Sequence, residues 1–164
     1  MRALIAAGFC LAVLGSGTAA AEARPRVEIF MPSPCLACIE WGVHLMDNGF
    51  DVAYRETADM AAVKRRLKVP PALASVHTAT VAGYFVEGHV PAEDIRTLLA
   101  ERPRARGLAV PGLPRGAPGR EVRSKSCETG CVVLDGEGGP EARHELYEVL
   151  LVAPDGKTRR WARH

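Results

Sequence analysis

Two cysteines three positions apart, Cys35-Leu-Ala-Cys38, stand where a strand gives way to a helix, and this junction constrains the chain more than any other feature. Before it, Val27-Glu28-Ile29-Phe30-Met31 alternates in the manner of a half-buried strand, and Pro32-Ser33-Pro34 stops it. After it, Ile39, Trp41 or Gly42, Leu45 and Met46 recur at helical spacing from Cys38 to Asn48, with Asn48-Gly49 as a C-cap. Cys35 therefore falls at a helix N-terminus, where free N–H groups and the dipole favour a thiolate, the reactive form in both redox and metal chemistry. Cys38 lies one turn on, on the same side. The spacing suits a disulfide or a shared metal equally well.

The following segments continue the alternation. Phe50 to Tyr54 reads as a second strand, and Thr57 to Leu67 as a helix capped by Thr57 or Asp59 and closed before Pro70-Pro71. Ala79 to Val81 and Tyr84 to Val86 flank Ala82-Gly83 as a hairpin, and Pro91 to Glu101 forms a third helix with Glu93 and Asp94 in its first turn. The order βαβαββα, with Cys-x-x-Cys between the first strand and first helix, is that of a thioredoxin-like α/β fold. Beyond Arg102 the pattern changes. Arg104 to Gly119 carries three prolines and four glycines, which predicts an irregular arm. Leu146 to Val152 and Thr158 to Ala162 flank Pro154-Asp155-Gly156 as a terminal β-hairpin.

The N-terminus has the three-part layout of a secretory signal peptide: Met1-Arg2, an apolar run from Ala3 to Gly17, and small residues before a cleavage point after Ala21 or Ala23. The run is shorter than the roughly 20 residues that span a bilayer. We therefore expect residues 1–21 to be removed and residues 24–164 to form one exported domain, periplasmic or secreted, without a membrane anchor. Lys plus Arg number 21 and Asp plus Glu 19, a net charge of +2, so there is no electrostatic footprint for nucleic acid or anionic lipid. Aromatic residues at 5% are too few for a base-stacking platform.

With Cys10 in the leader, four cysteines remain: Cys35, Cys38, Cys127 and Cys131. An exported chain invites a disulfide reading. Two short-range pairs, however, close only small loops, which constrain an unfolded chain least. Close-set pairs place sulfurs side by side, and that points to redox chemistry or metal. Four sulfurs suit Cu(I) or tetrahedral Zn(II); thiolates with thioether or imidazole neighbours favour Cu(I). His77, just before the third strand, lies where a thioredoxin-like fold faces its Cys-x-x-Cys, and is the candidate imidazole. Met31 is a possible outer member, with core packing as its ordinary role. His44 and His89 read as structural or solvated.

These residues carry a resemblance. Cys35-Leu-Ala-Cys38-Ile-Glu-Trp41-Gly-Val-His44, Val69-Pro70-Pro71-Ala-Leu-Ala-Ser75, His77-Thr78-Ala79, Gly88-His89-Val90-Pro91 and Gly107-Leu-Ala-Val-Pro111-Gly112 are similar to segments of an exported thioredoxin-fold metal-binding family that includes the CopG-type copper-resistance proteins. The likeness spans nearly all the chain after the leader except about residues 122–145. It implies that Cys35, Cys38, Cys127 and Cys131 act together as copper ligands, with Cu(I) in a cysteine-bridged cluster, and that copper ions and other periplasmic copper-handling proteins are the partners. The chain departs from the family at Ala37 and Val76, where members often have cysteine, and at Leu113 and Arg120, where methionine is common. The insertion supplies Cys127 and Cys131 instead. The reading from a second class is a thiol–disulfide oxidoreductase, with Cys35 as nucleophile and Cys38 as resolving thiol. A zinc-stabilised domain is third.

Overall fold

In β1, Arg26–Met31, the side chains of Val27, Ile29 and Met31 are buried, and the alternate positions are less so. Such a strand must be covered, and it lies inside a seven-stranded sheet of order β2-β1-β3-β4-β5-β6-β7. The computed structural model describes residues 23–120 and 145–164. The expected leader and the Cys127/Cys131 insertion lie outside them. No helix among the described residues is long and apolar enough to cross a membrane.

Helix α1, Leu36–Asp47, carries the chain from β1 to the parallel strand β2, Asp51–Glu56, with Val27 beside Val52. It ends at Asn48, whose backbone and side-chain N–H groups both reach the His44 carbonyl. The buried face differs from the sequence expectation. Cys38, Trp41, Gly42 and Leu45 face the sheet, whereas Ile39 and Met46 are each 41% exposed. A helix of this period has one inward stripe, and the bulky indole of Trp41 fixes which one it is.

Helix α2, Met60–Arg66, is capped by Asp59, whose carboxylate accepts the Ala62 N–H at 2.8 Å. A 3-10 turn, Pro71–Leu73, leads into β3, Thr78–Val81, antiparallel to β1. Ala82 and Gly83, both at positive φ, turn the chain into β4, Tyr84–Glu87. Helix α3, Ala92–Glu101, follows, so the βαβαββα order read from the sequence is the order observed.

The arm beyond α3 is not wholly irregular. Gly107–Ala109 forms β5, parallel to β4 and antiparallel to β6, Glu148–Val152. Its pairing is non-local, and flanking prolines and glycines hide so short a strand from any local pattern. β5 splices the terminal hairpin of β6 and β7, Thr158–Arg163, onto the sheet.

One buried ion pair fixes the segment before β3. Glu87, fully buried, meets the Lys64 ammonium and accepts from the Ser75 backbone N–H and the Thr78 hydroxyl, each at 2.6 Å. Lys64 also donates to the Thr78 hydroxyl at 2.9 Å. These bonds hold both flanks of His77. Lys64→Met should lower the unfolding free energy by about 3 kcal/mol in urea, because it strands a buried carboxylate. Adding Glu87→Gln should recover part of that loss. Simple additivity of the two single losses would show that the pair is not coupled.

Candidate metal centre

The cysteine pair sits at the start of α1. Cys35 is the N-cap, its sulfur accepting the Cys38 N–H at 3.3 Å, and both residues are buried. The two are joined as a disulfide, with Cα atoms 5.3 Å apart. The free N–H groups of the first turn therefore point at the sulfurs, and the same field would stabilise thiolates after reduction.

One turn below Cys38, Trp41 is fully buried and its indole N–H donates to the Val90 carbonyl at 2.9 Å. His77 packs on this indole with ring centres 4.4 Å apart, and the His89 ring meets His77 edge-on at 4.9 Å. His77 enters from the segment before β3 and His89 from the turn between β4 and α3. Both are fully buried. His89 Nδ1 lies 2.7 Å from the Pro118 carbonyl, which can only accept, so Nδ1 carries the proton and Nε2 presents a lone pair. Neither ring nitrogen of His77, nor Nε2 of His89, has a hydrogen-bond partner among the described residues. A buried polar atom left unpaired typically costs about 1–3 kcal/mol. Such a cluster is maintained against that cost.

Burial is the main electrostatic fact here. It holds His77 well below the ordinary imidazole value of 6.5, helped by His89 and Lys64. The Gly88 backbone pulls weakly the other way, without completing a normal hydrogen bond to either ring nitrogen. His89 is pushed down to about 4, first by burial, with Arg120 adding to the effect and the Pro118 carbonyl opposing it. Both rings are neutral near pH 7, the form that binds metal.

The proline arm closes the cluster from above. Val110 N–H bonds to the Glu87 carbonyl at 2.9 Å, and the Ser75 hydroxyl donates to the Gly112 carbonyl at 2.6 Å. Gly119, at φ +78°, lies so close to α1 that a Cβ there would stand 2.6 Å from the Trp41 nitrogen and 3.1 Å from the Ala37 carbonyl oxygen. At the far side, Glu145 donates its N–H to the Arg115 carbonyl at 2.9 Å, and its carboxylate accepts the Arg115 N–H at 3.0 Å.

Of the residues singled out from sequence, Cys35, Cys38 and His77 are therefore buried around one stretch of α1, and Cys127 and Cys131 lie outside the described residues. Met31 is core, and His44 accepts the Ala92 N–H at 3.1 Å, a structural role. No three potential metal-binding side chains converge among the described residues. His89, read from the sequence as structural or solvated, is fully buried against His77 and bonded to the Pro118 carbonyl, so it is not solvated. Its place beside His77 goes beyond what the Gly88-His89-Val90-Pro91 motif showed, which carried the family likeness without a role for its imidazole.

Residues 73–120, which hold both histidines and the arm, match a family described as "Protein of unknown function, DUF411". Among curated proteins, none matches. A solved structure of the copper resistance protein copG, form 2, is 37% identical, superimposes with a TM-score of 0.71, and is matched over 98% of its chain and 86% of this one. The chain belongs to the CopG-type copper-resistance family. Form 1 of the same protein gives 37% identity, a TM-score of 0.70, and coverage of 96% of that chain and 85% of this one. Within the CopG-type frame, the cysteine pair starts α1 and the histidine pair packs against Trp41 in the next turn of the same helix.

Two outcomes follow from this geometry. Gly119→Ala should lower the melting temperature by several degrees and disturb the near-ultraviolet dichroism of Trp41, because the added methyl meets backbone rather than a movable side chain. An unchanged spectrum and melting point would mean that the arm does not rest on α1. The pH response has a definite sign. As pH falls below 6.5 the unfolded chain protonates these histidines while the folded chain does not, so the unfolded state binds more protons and stability drops. Asp94, whose carboxyl is raised chiefly by burial, works in the opposite sense. The melting temperature of the metal-free disulfide form should therefore fall from pH 6.5 towards about 4, and His89→Phe should flatten the curve. A wild-type curve flat over that range would contradict neutral burial of the pair.

Proposed function

We propose that this chain is an exported copper-handling protein that holds Cu(I) on the reduced Cys35/Cys38 pair together with Cys127 and Cys131, with His77 as a nitrogen ligand. The observation that carries the reading is the cysteine pair at a helix N-terminus, with the buried His77 ring, unpaired at both nitrogens, packed on the indole of Trp41 in the next turn of that helix. Membership of the copper-resistance family supports copper over zinc, as does the softness of the ligands. Opening the disulfide takes two electrons from a dithiol reductant, which becomes a disulfide and passes on its two protons, and metal binding then releases protons from the new thiols. Copper loading is thereby tied to the redox state of the compartment.

A thiol–disulfide oxidoreductase is the second reading, favoured by the disulfide itself and by Cys35 at the N-cap. The two separate in one experiment. The reduced protein is titrated with Cu(I) under anaerobic conditions against a chelator of known affinity, beside Cys127→Ser/Cys131→Ser, with metal content read by mass spectrometry. The copper reading expects more than one tightly held Cu(I) per chain, dependent on both cysteine pairs. Full stoichiometry without the second pair would remove the four-sulfur arrangement. Weak, sub-stoichiometric copper with turnover of a disulfide substrate would favour the oxidoreductase.

A further inference from the structure

The unpaired nitrogens extend beyond the one histidine used above. We propose that His77 and His89 together form an all-nitrogen site for a single monovalent soft cation, Cu(I) or its analogue Ag(I), which persists while Cys35 and Cys38 are disulfide-bonded. The proposal rests on the copper reading only for the identity of the natural ion.

Four observations carry it. First, three of the four ring nitrogens of this pair lack any partner among the described residues, although both side chains are fully buried. Second, the remaining nitrogen fixes the tautomer. Nδ1 of His89 donates to the Pro118 carbonyl, which leaves Nε2 bare, and a metal-bound histidine commonly has its other ring N–H held by a backbone carbonyl in this way. Third, the two rings are in direct contact, edge to face with centres 4.9 Å apart, so their bare nitrogens share one buried pocket of the core. Fourth, the surrounding charge selects its valence. The charged groups acting on these rings are Lys64 and Arg120, both cationic, while the nearby Glu87 carboxylate is committed to Lys64, Ser75 and Thr78. A divalent ion would enter this site without a compensating anion. A monovalent d10 ion needs only two neutral donors and tolerates so few ligands.

A site of this kind gives the oxidised protein something to hold. This seat is independent of the cysteines, because both of its donors are imidazoles packed against Trp41.

The test uses the wild-type protein with the Cys35–Cys38 disulfide formed and every remaining thiol alkylated, so that no thiolate is available. Ag(I) is added while the imidazole nitrogens are followed by long-range 15N NMR and Trp41 by its fluorescence. Binding of one Ag(I) per chain, moving the 15N resonances of His77 and His89 and quenching Trp41, is the expected result. His89→Phe, which keeps the ring and removes the nitrogens, should weaken Ag(I) by at least about a hundredfold, at the upper end of what loss of an outer partner costs. Unmoved His77 and His89 resonances would overturn the proposal, and so would shifts confined to His44 or His164. The wild-type spectrum decides the matter even if the variant fails to fold. Failure of the cysteine reading would show instead in the reduced protein, with this site intact.

Discussion

The indole of Trp41 is where helix α1, the turn between β4 and α3, and the proline arm meet. Its N–H is bound by Val90, its face carries His77, and its backbone nitrogen lies under Gly119. A large aromatic side chain with its single donor satisfied can be buried completely at little polar cost. Once it is in place, the inward stripe of α1 is set, Cys38 is turned towards the core, and the segments that deliver the two histidines are drawn to a common point. The sheet provides the scaffold, but the convergence that makes a site depends on this one ring.

How much of this was legible depended on range. The first strand, the cysteine junction, the caps at Asp59 and Asn48 and the Ala82-Gly83 hairpin are signals confined to a few neighbouring residues, and each has the structure that its local chemistry demands. β5 is different. Gly107–Ala109 is a strand because β4 and β6 flank it, and nothing within three residues reveals that. The helix face failed for a related reason: Ile39 and Met46 have the right spacing, but Trp41 and Cys38 compete for the same interior and win on volume and position. The contact of His89 with His77 was not legible, because a lone histidine before a proline has no local pattern. Its meaning lies in His77, twelve residues away and on the opposite side of a hairpin.

The histidine cluster gives up stability to keep unpaired imidazole nitrogens in the core. A core built only for stability would place phenylalanine or leucine at positions 77 and 89. This chain instead buries two imidazoles and surrounds them with firm supports: the Glu87 network on one flank, the Pro118 carbonyl on the other. The supports limit how far either ring can turn to find a partner of its own. Unpaired donors and acceptors persist because the surrounding structure is rigid.

The reciprocal backbone and carboxylate bonds between Arg115 and Glu145 join residues 30 positions apart in the chain. They act as a clasp that ties the proline arm to the segment entering β6, so the cover over α1 and the terminal hairpin are held to one another by local bonds. Because the entropy of closing a loop grows only slowly with its length, such a clasp costs the fold little however much chain lies between its halves.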